Sequence, residues 1–242
     1  MLKEGEVLTV IFPPENPSEG VAGEKIPLDI LFEDQYLLIV NKPAGMSTIP
    51  SREHPTGSLA NALVGYYEEI GIRATSHIVT RLDRDTSGIV LIAKHRHVHH
   101  LLSKQQINGR VKRTYEALAE GNLVREKGSI EEPIGRNPDS IIEREVRSDG
   151  QYACTHFKVL KRYKEFTHVE LQLKTGRTHQ IRVHMSFIGH PLLGDDLYGG
   201  THSLIKRQAL HCKKIQFPHP FCGQDMIFTS NLPLDMDKLI KA

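Results

Sequence analysis

The chain is poor in the residues and patterns that many site chemistries require. It has three cysteines, Cys154, Cys212 and Cys222, in 242 residues. None belongs to a CxxC or other ligand pair, and three is an odd number for a disulfide framework. A reduced, cytoplasmic compartment is the simplest reading. No apolar run approaches the roughly 18–20 residues of a membrane helix. Nothing at the N-terminus resembles a secretory signal, because Met1-Leu2-Lys3-Glu4-Gly5-Glu6 leads into only a short apolar strand. Neither HExxH nor GxxxxGKS/T occurs, so a zinc protease and a phosphate-loop ATPase lack support. Ser87 lies in Thr-Ser-Gly and not in GxSxG, which removes a hydrolase nucleophile elbow. There is no internal repeat and no low-complexity tract.

What the chain does have is histidine and unevenly spread charge. The densest of its 14 histidines lie in His95-Arg96-His97-Val98-His99-His100. His95 and His99 are four apart, but no Cys, Asp or Glu accompanies them and Arg96 repels a cation. A solvated or nucleic-acid-facing helix end is the better reading, and no metal site is expected. Residues 1–35 carry two lysines against eight acids, and the remainder carries 29 basic residues against 21 acids. An acidic leader followed by a basic body suits a polyanion partner.

Periodicity predicts an α+β chain. Residues 7–12 read as a short strand, and the proline-rich stretch 13–20 as an extended linker. Residues 28–32 and 36–40 form a hairpin pattern. Ser58 caps a helix that ends at Gly71. A strand over 89–94, a helix over 97–107 and a strand over 112–119 follow. Residues 128–155 look loop-like with short strands. Alternation over 157–163 and 168–174 argues for paired strands. Thr178 begins a helix closed by Gly189, then a polar loop runs to 203. Strands over 209–217 and 225–229 and a helix over 232–242 end the chain. The pattern favours a mixed, largely antiparallel central sheet flanked by helices and loops.

The stretch Thr80-Arg81-Leu82-Asp83-Arg84-Asp85-Thr86-Ser87-Gly88 sets two arginines and two aspartates against the apolar run 89–93. One reading is a polar turn capping a strand; the other is a reactive carboxylate held between cations. A second stretch, Thr175-Gly176-Arg177-Thr178-His179-Gln180-Ile181-Arg182, places His179 and Arg182 three apart at a helix start. That arrangement points a guanidinium and a helix N-terminus at one spot, where a carboxylate or phosphate is favoured.

Taken together, the polar stretches resemble the RluA/RluD family of RNA pseudouridine synthases. The likeness rests on Asn41-Lys42-Pro43-Ala44-Gly45, on residues 80–88, on Arg113-Thr114-Tyr115-Glu116-Ala117 and on residues 175–182. His190-Pro191-Leu192-Leu193-Gly194-Asp195 and Gln208-Ala209-Leu210-His211 extend it. The set runs in the family's order from about residue 26 to 230. Two departures stand out: Thr80 replaces the family's usual histidine, and Arg113 replaces a lysine. Thr80 is expected to alter local hydrogen bonding more than chemistry.

The resemblance implies isomerisation of uridine in RNA, ribosomal RNA first and transfer RNA second, without cofactor or metal. Asp83 becomes the catalytic carboxylate, as nucleophile or as helper of elimination. A carboxylate buried under a base tends to protonate, and a nearby arginine opposes this. Arg182 is therefore its expected ion-pair partner, and Tyr115 the aromatic that stacks on the base and helps move the carbon 5 proton. Arg81 would fill the gap left by a flipped base. Lys42, Arg84, Arg110, Lys112 and Arg113 are candidate phosphate contacts, and Arg177 and His179 candidate RNA contacts. Asp85 would bond the backbone N–H groups of its turn. Leu82 is a packing anchor, and Gly88 relieves crowding.

The same resemblance makes residues 1–22 the remnant strand and linker of an S4-like RNA-binding domain, and 23–242 a catalytic domain acting as a monomer. A non-catalytic RNA-binding protein on the same fold would lose Asp83, Tyr115 or Arg182. A glycoside hydrolase would need Asp83 and Asp85 on opposite sides of a bond, and their separation of two residues opposes that.

Overall fold

The computed structural model of the protein describes residues 3–7, 15, 20–72 and 74–241. Most of the expected strand over 7–12 and of the linker over 13–20 lies outside them. In chain order the elements are β1 (Ile30–Glu33), β2 (Leu37–Lys42), α1 (Leu59–Glu69), β3 (His77–Ile78) and β4 (Ser87–Ala93). Then come α2 (Arg96–Ile107), β5 (Lys112–Glu120), β6 (Lys127–Ile130), β7 (Ile134–Arg136) and β8 (Arg144–Val146). The chain continues through β9 (Thr155–Arg162), β10 (Phe166–Leu173) and α3 (Gln180–Phe187). A single 3-10 turn at Asp196–Tyr198 precedes β11 (Leu210–Pro218), β12 (Asp225–Thr229) and α4 (Leu234–Lys241).

Among the described residues ten strands form one sheet in the order β1-β2-β4-β11-β5-β10-β9-β6, with β3 beside β4 and β12 beside β11. Every pairing is antiparallel except β4 with β11. The α+β expectation therefore holds. The run Ile89-Val90-Leu91-Ile92-Ala93 is continuous rather than alternating because β4 is buried on both faces. Strand β9 alternates because its outer face meets solvent. Helix α1 begins where expected: the Asn61 backbone N–H donates to Ser58 Oγ, and the Ser58 N–H donates back to Asn61 Oδ1.

The helix expected from Thr178 starts two residues later. His179 has φ 56°, a left-handed conformation that a helix start does not share. The short pair β7 and β8 forms a separate two-stranded sheet. Among the described residues no helix is long and apolar enough to cross a membrane.

One buried histidine ties the sheet together. His211 on β11 bonds Ser87 Oγ on β4 through Nδ1, and Ser230 Oγ through Nε2. Burial, aided by the Lys213 and Arg207 charges, pushes its pKa down to about 4. The unfolded chain therefore takes up this proton at higher pH than the folded one, and stability falls as pH drops from the ordinary histidine range towards 4. Urea titrations at about pH 7.5 and about pH 4.5 should show His211→Asn losing about 2–3 kcal/mol less between the two than wild type. Equal losses in both proteins would contradict the assignment.

Candidate active site

The loop before β4 is fixed at almost every residue except Asp83. Thr48 Oγ1 donates to the Leu82 carbonyl, and Lys42 Nζ to the Arg84 carbonyl. Arg207 Nη1 donates to the Asp85 carbonyl, Gln208 Nε2 to Thr86 Oγ1, and Ser87 bonds His211. The Thr86 N–H closes the turn on the Asp83 carbonyl at 3.1 Å. Gly88 then enters the sheet with φ 115°, and a Cβ there would lie 2.4 Å from the Cys212 carbonyl oxygen. The expected relief of crowding is thus a hard requirement at the β4–β11 pairing. Thr80, in place of histidine, accepts the Leu91 N–H on its hydroxyl, a purely local bond. Leu82 is buried in the core, as expected of an anchor.

With its neighbours anchored, the Asp83 side chain is left facing a cavity of about 470 Å³. The start of α3 supplies its counter-charges. Arg182 Nη1 reaches Asp83 Oδ2 at 3.4 Å, the pairing expected from the sequence. Its stronger partner is Asp195: Nε and Nη2 both donate to that carboxylate at 2.7 Å. Asp195 is fully buried. Burial opposes the Arg182 charge, but the bidentate Asp195 and the Asp83 carboxylate outweigh it and raise its pKa. The guanidinium also lies 4.9 Å above the Tyr198 ring.

Tyr198 governs His179 as well. Its hydroxyl accepts the Arg144 backbone N–H at 3.0 Å and forms a hydrogen bond with His179 Nδ1 at 2.8 Å. Burial holds the phenol protonated, pushing its pKa up to about 12. Burial also lowers the His179 pKa, favouring neutral imidazole. The other ring nitrogen, Nε2, faces Asp83 Oδ2 at 3.9 Å. The left-handed backbone at His179 turns the ring into the cleft.

Tyr115 on β5 lines the same cavity beneath Asp83. Burial drives its pKa well above the ordinary tyrosine value, and Arg113 Nη1 donates to its hydroxyl at 3.3 Å. Cys212 faces it across the β5–β11 pairing, its thiol pushed up to about 11 by burial. Arg81, Arg84, Arg113, Arg177 and His179 all line the cavity.

Two assignments change. Lys42 is not a phosphate contact, since it is 1% exposed. Its Nζ donates to the carbonyls of Pro43, Met46 and Arg84 at 2.7–3.0 Å, clamping two loops together. Burial lowers its pKa to about 7, with Asp85 and Asp83 opposing, while three acceptors suit the three donors of an ammonium. Asp85 does not bond its turn; it takes Arg84 Nε and Nη2 at 3.3 Å.

Asp195, Tyr198, Arg207 and Gln208 had no role assigned from the sequence. No local signal marked them, because the burial of Arg182 and the approach of Asp195 thirteen residues later appear only in the folded chain.

The comparisons agree with this geometry. The model of the RNA pseudouridylate synthase family matches residues 36–187. The chain is 56% identical over 241 residues to the uncharacterized RNA pseudouridine synthase YjbO of Bacillus subtilis (strain 168), covering 100% of this chain and 85% of the relative. It is 40% identical over 235 residues to ribosomal large subunit pseudouridine synthase D of Yersinia pestis, covering 91% and 72%. Among solved structures, human RNA pseudouridylate synthase domain containing 1 shares the fold, with a TM-score of 0.70 at 23% identity over 90% of this chain and 95% of that one. With the family's model spanning most of the chain and relatives aligned along nearly all of it, the protein belongs to the RNA pseudouridylate synthase family and is an isomerase of that class.

Proposed function

We propose that the protein isomerises specific uridines in large-subunit ribosomal RNA to pseudouridine, using Asp83 and no cofactor. The observation that carries this reading is the Asp83 carboxylate in the cleft, with Arg182 at 3.4 Å and buried Tyr115 lining the same cavity. The target preference rests on relatives named for the ribosomal large subunit. Residues 23–242 act as the catalytic unit, as a monomer in the cytoplasm.

The chemistry is balanced within one nucleotide. The bond between uracil N1 and ribose C1′ breaks, the base turns, and C5 bonds to C1′. The proton on C5 leaves and N1 gains one, so no atom is added by a second substrate. An ionised carboxylate is needed at the sugar, either bonded to C1′ or taking the proton from C2′. Asp83 serves as that carboxylate in either route, and Arg182 stabilises its charge. Tyr115 supplies the face on which the base stacks. Its burial keeps the phenol protonated, so it is not the resting base. Arg81, exposed at the cavity rim, fills the stack that the uridine leaves.

Incubating the protein with uridine-labelled ribosomal RNA tests the reaction. A rearranged nucleoside of unchanged mass is expected. Free uracil would mean hydrolysis, and unaltered uridine would reduce the protein to an RNA binder.

Tyr198 is a positioning residue in this scheme. Tyr198→Phe keeps the ring under Arg182 but frees His179 Nδ1. It should lower kcat by about tenfold with KM little changed, and Tyr198→Leu should lower it further. Nitrogen NMR of the His179 ring should show a single tautomer in wild type and a tautomer mixture in Tyr198→Phe. An unchanged tautomer would refute the role.

A further inference from the structure

A second cavity, of about 730 Å³, opens beside the first at the ends of β5, β10 and β11. The two share Gln106, Arg113, Leu173, Gly176 and Arg177, so they form one continuous depression. The second is lined by Lys112, Arg113, Lys174, Arg177 and Lys214, and by no aspartate or glutamate. None of these five cations makes an ion pair with a carboxylate among the described residues. The lining of this cavity therefore carries charge of one sign.

The floor is ordered by strand register. Lys214 on β11 lies opposite Thr114 on β5, Thr114 opposite Gln172 on β10, and Gln172 opposite His156 on β9. Directly opposed residues share a sheet face, so this row is a polar strip running across four strands. Lys112 and Lys174 lie two residues from Thr114 and Gln172 on their strand lines, which by alternation puts them on the same side. The strip offers cations for phosphates together with neutral donors and acceptors for sugar and base edges.

We infer that this trough binds the sugar-phosphate backbone of the RNA strand flanking the target uridine, as a site separate from the reacting centre. The inference rests on the RNA reading above. A uridine flipped into the Asp83 cavity leaves its neighbours' phosphates at the rim; Thr114 alternates with Tyr115 on β5, so the polar row lies on the other sheet face, and Arg113 and Arg177, which line both cavities, carry the strand round the strand ends to Lys112, Lys174 and Lys214. A single strand is the occupant, because its bases are free to meet the polar row while its backbone follows the lysines.

The test compares two triple variants of the full chain: K112A/K174A/K214A in the trough, and R125A/K164A/K238A, exposed cations lining neither cavity. Both remove the same charge. Affinity for a fluorescent single-stranded oligouridylate of about 12 nucleotides is measured against salt. The trough variant should bind about tenfold or more weakly, with its salt slope reduced by about 2, since each phosphate contact contributes about 0.7. The control variant should stay within about twofold of wild type in affinity. Equal weakening in both variants, or none in either, would overturn the inference. Wild-type conversion of uridine in ribosomal RNA is assayed alongside. If it occurs while the trough variant binds like the control, the inference fails and the proposed function stands. If it is absent, the proposed function fails.

Discussion

Asp83→Asn is expected to lower the single-turnover rate of uridine isomerisation by at least about a thousandfold while RNA affinity stays within about threefold. The substitution is nearly isosteric, and little of the fold rests on this side chain. Its contacts are one bond to Arg182 at 3.4 Å and the approach of His179 at 3.9 Å. Arg182 stays in place because Asp195 holds it at two points. The loop backbone stays in place because Thr48, Lys42, Arg207, Gln208 and His211 hold the residues around position 83. On the proposed reading, RNA affinity belongs to the cations of the cleft and trough, which the change does not touch. What disappears is the carboxylate that must meet the sugar. An amide cannot bond to C1′ as a leaving carboxylate does, nor take a proton from C2′.

Asp195→Asn should damage both stability and rate. Removing one partner of a buried ion pair strands the other charge, at a cost of about 3–5 kcal/mol. For a chain of this size that corresponds to a fall in Tm of roughly 6–20 °C by calorimetry. Freed of its bidentate anchor, Arg182 loses its fixed approach to Asp83, and kcat should fall about a hundredfold even well below the melting range. The double variant Arg182→Met/Asp195→Asn separates the two effects. It removes the stranded charge, so much of the stability should return while activity does not. A single Asp195→Asn variant with wild-type Tm and kcat would show that the pair does not organise the site.

The elements were legible in the sequence where local pattern and final burial agree. The continuous apolar run of β4, the alternation of β9 and the Ser58 cap each state their environment directly. The pairing of β4 with β11 was not legible, because register between strands about 120 residues apart leaves no local trace. Asp83, Tyr115 and Arg182 could be named from their motifs, and the fold brings them to one cavity. Their supports could not. Lys42 looks like any surface lysine until three carbonyls are seen around it. Asp195 follows a glycine and reads as a turn residue, yet it is fully buried against Arg182. Asp85 was misread because neighbouring Arg84 outcompetes the turn N–H groups for its carboxylate. Long-range partners of charged groups were what the local pattern concealed.

The central claim, that Asp83 of this protein converts uridine to pseudouridine, has a direct chemical readout. Joining C5 to C1′ expels the hydrogen on C5. Large-subunit ribosomal RNA carrying tritium at uridine C5 should therefore release tritium to water with wild-type protein, in proportion to the pseudouridine formed. Asp83→Asn should release none above background while still binding the RNA. Release by Asp83→Asn at the wild-type rate would contradict the account.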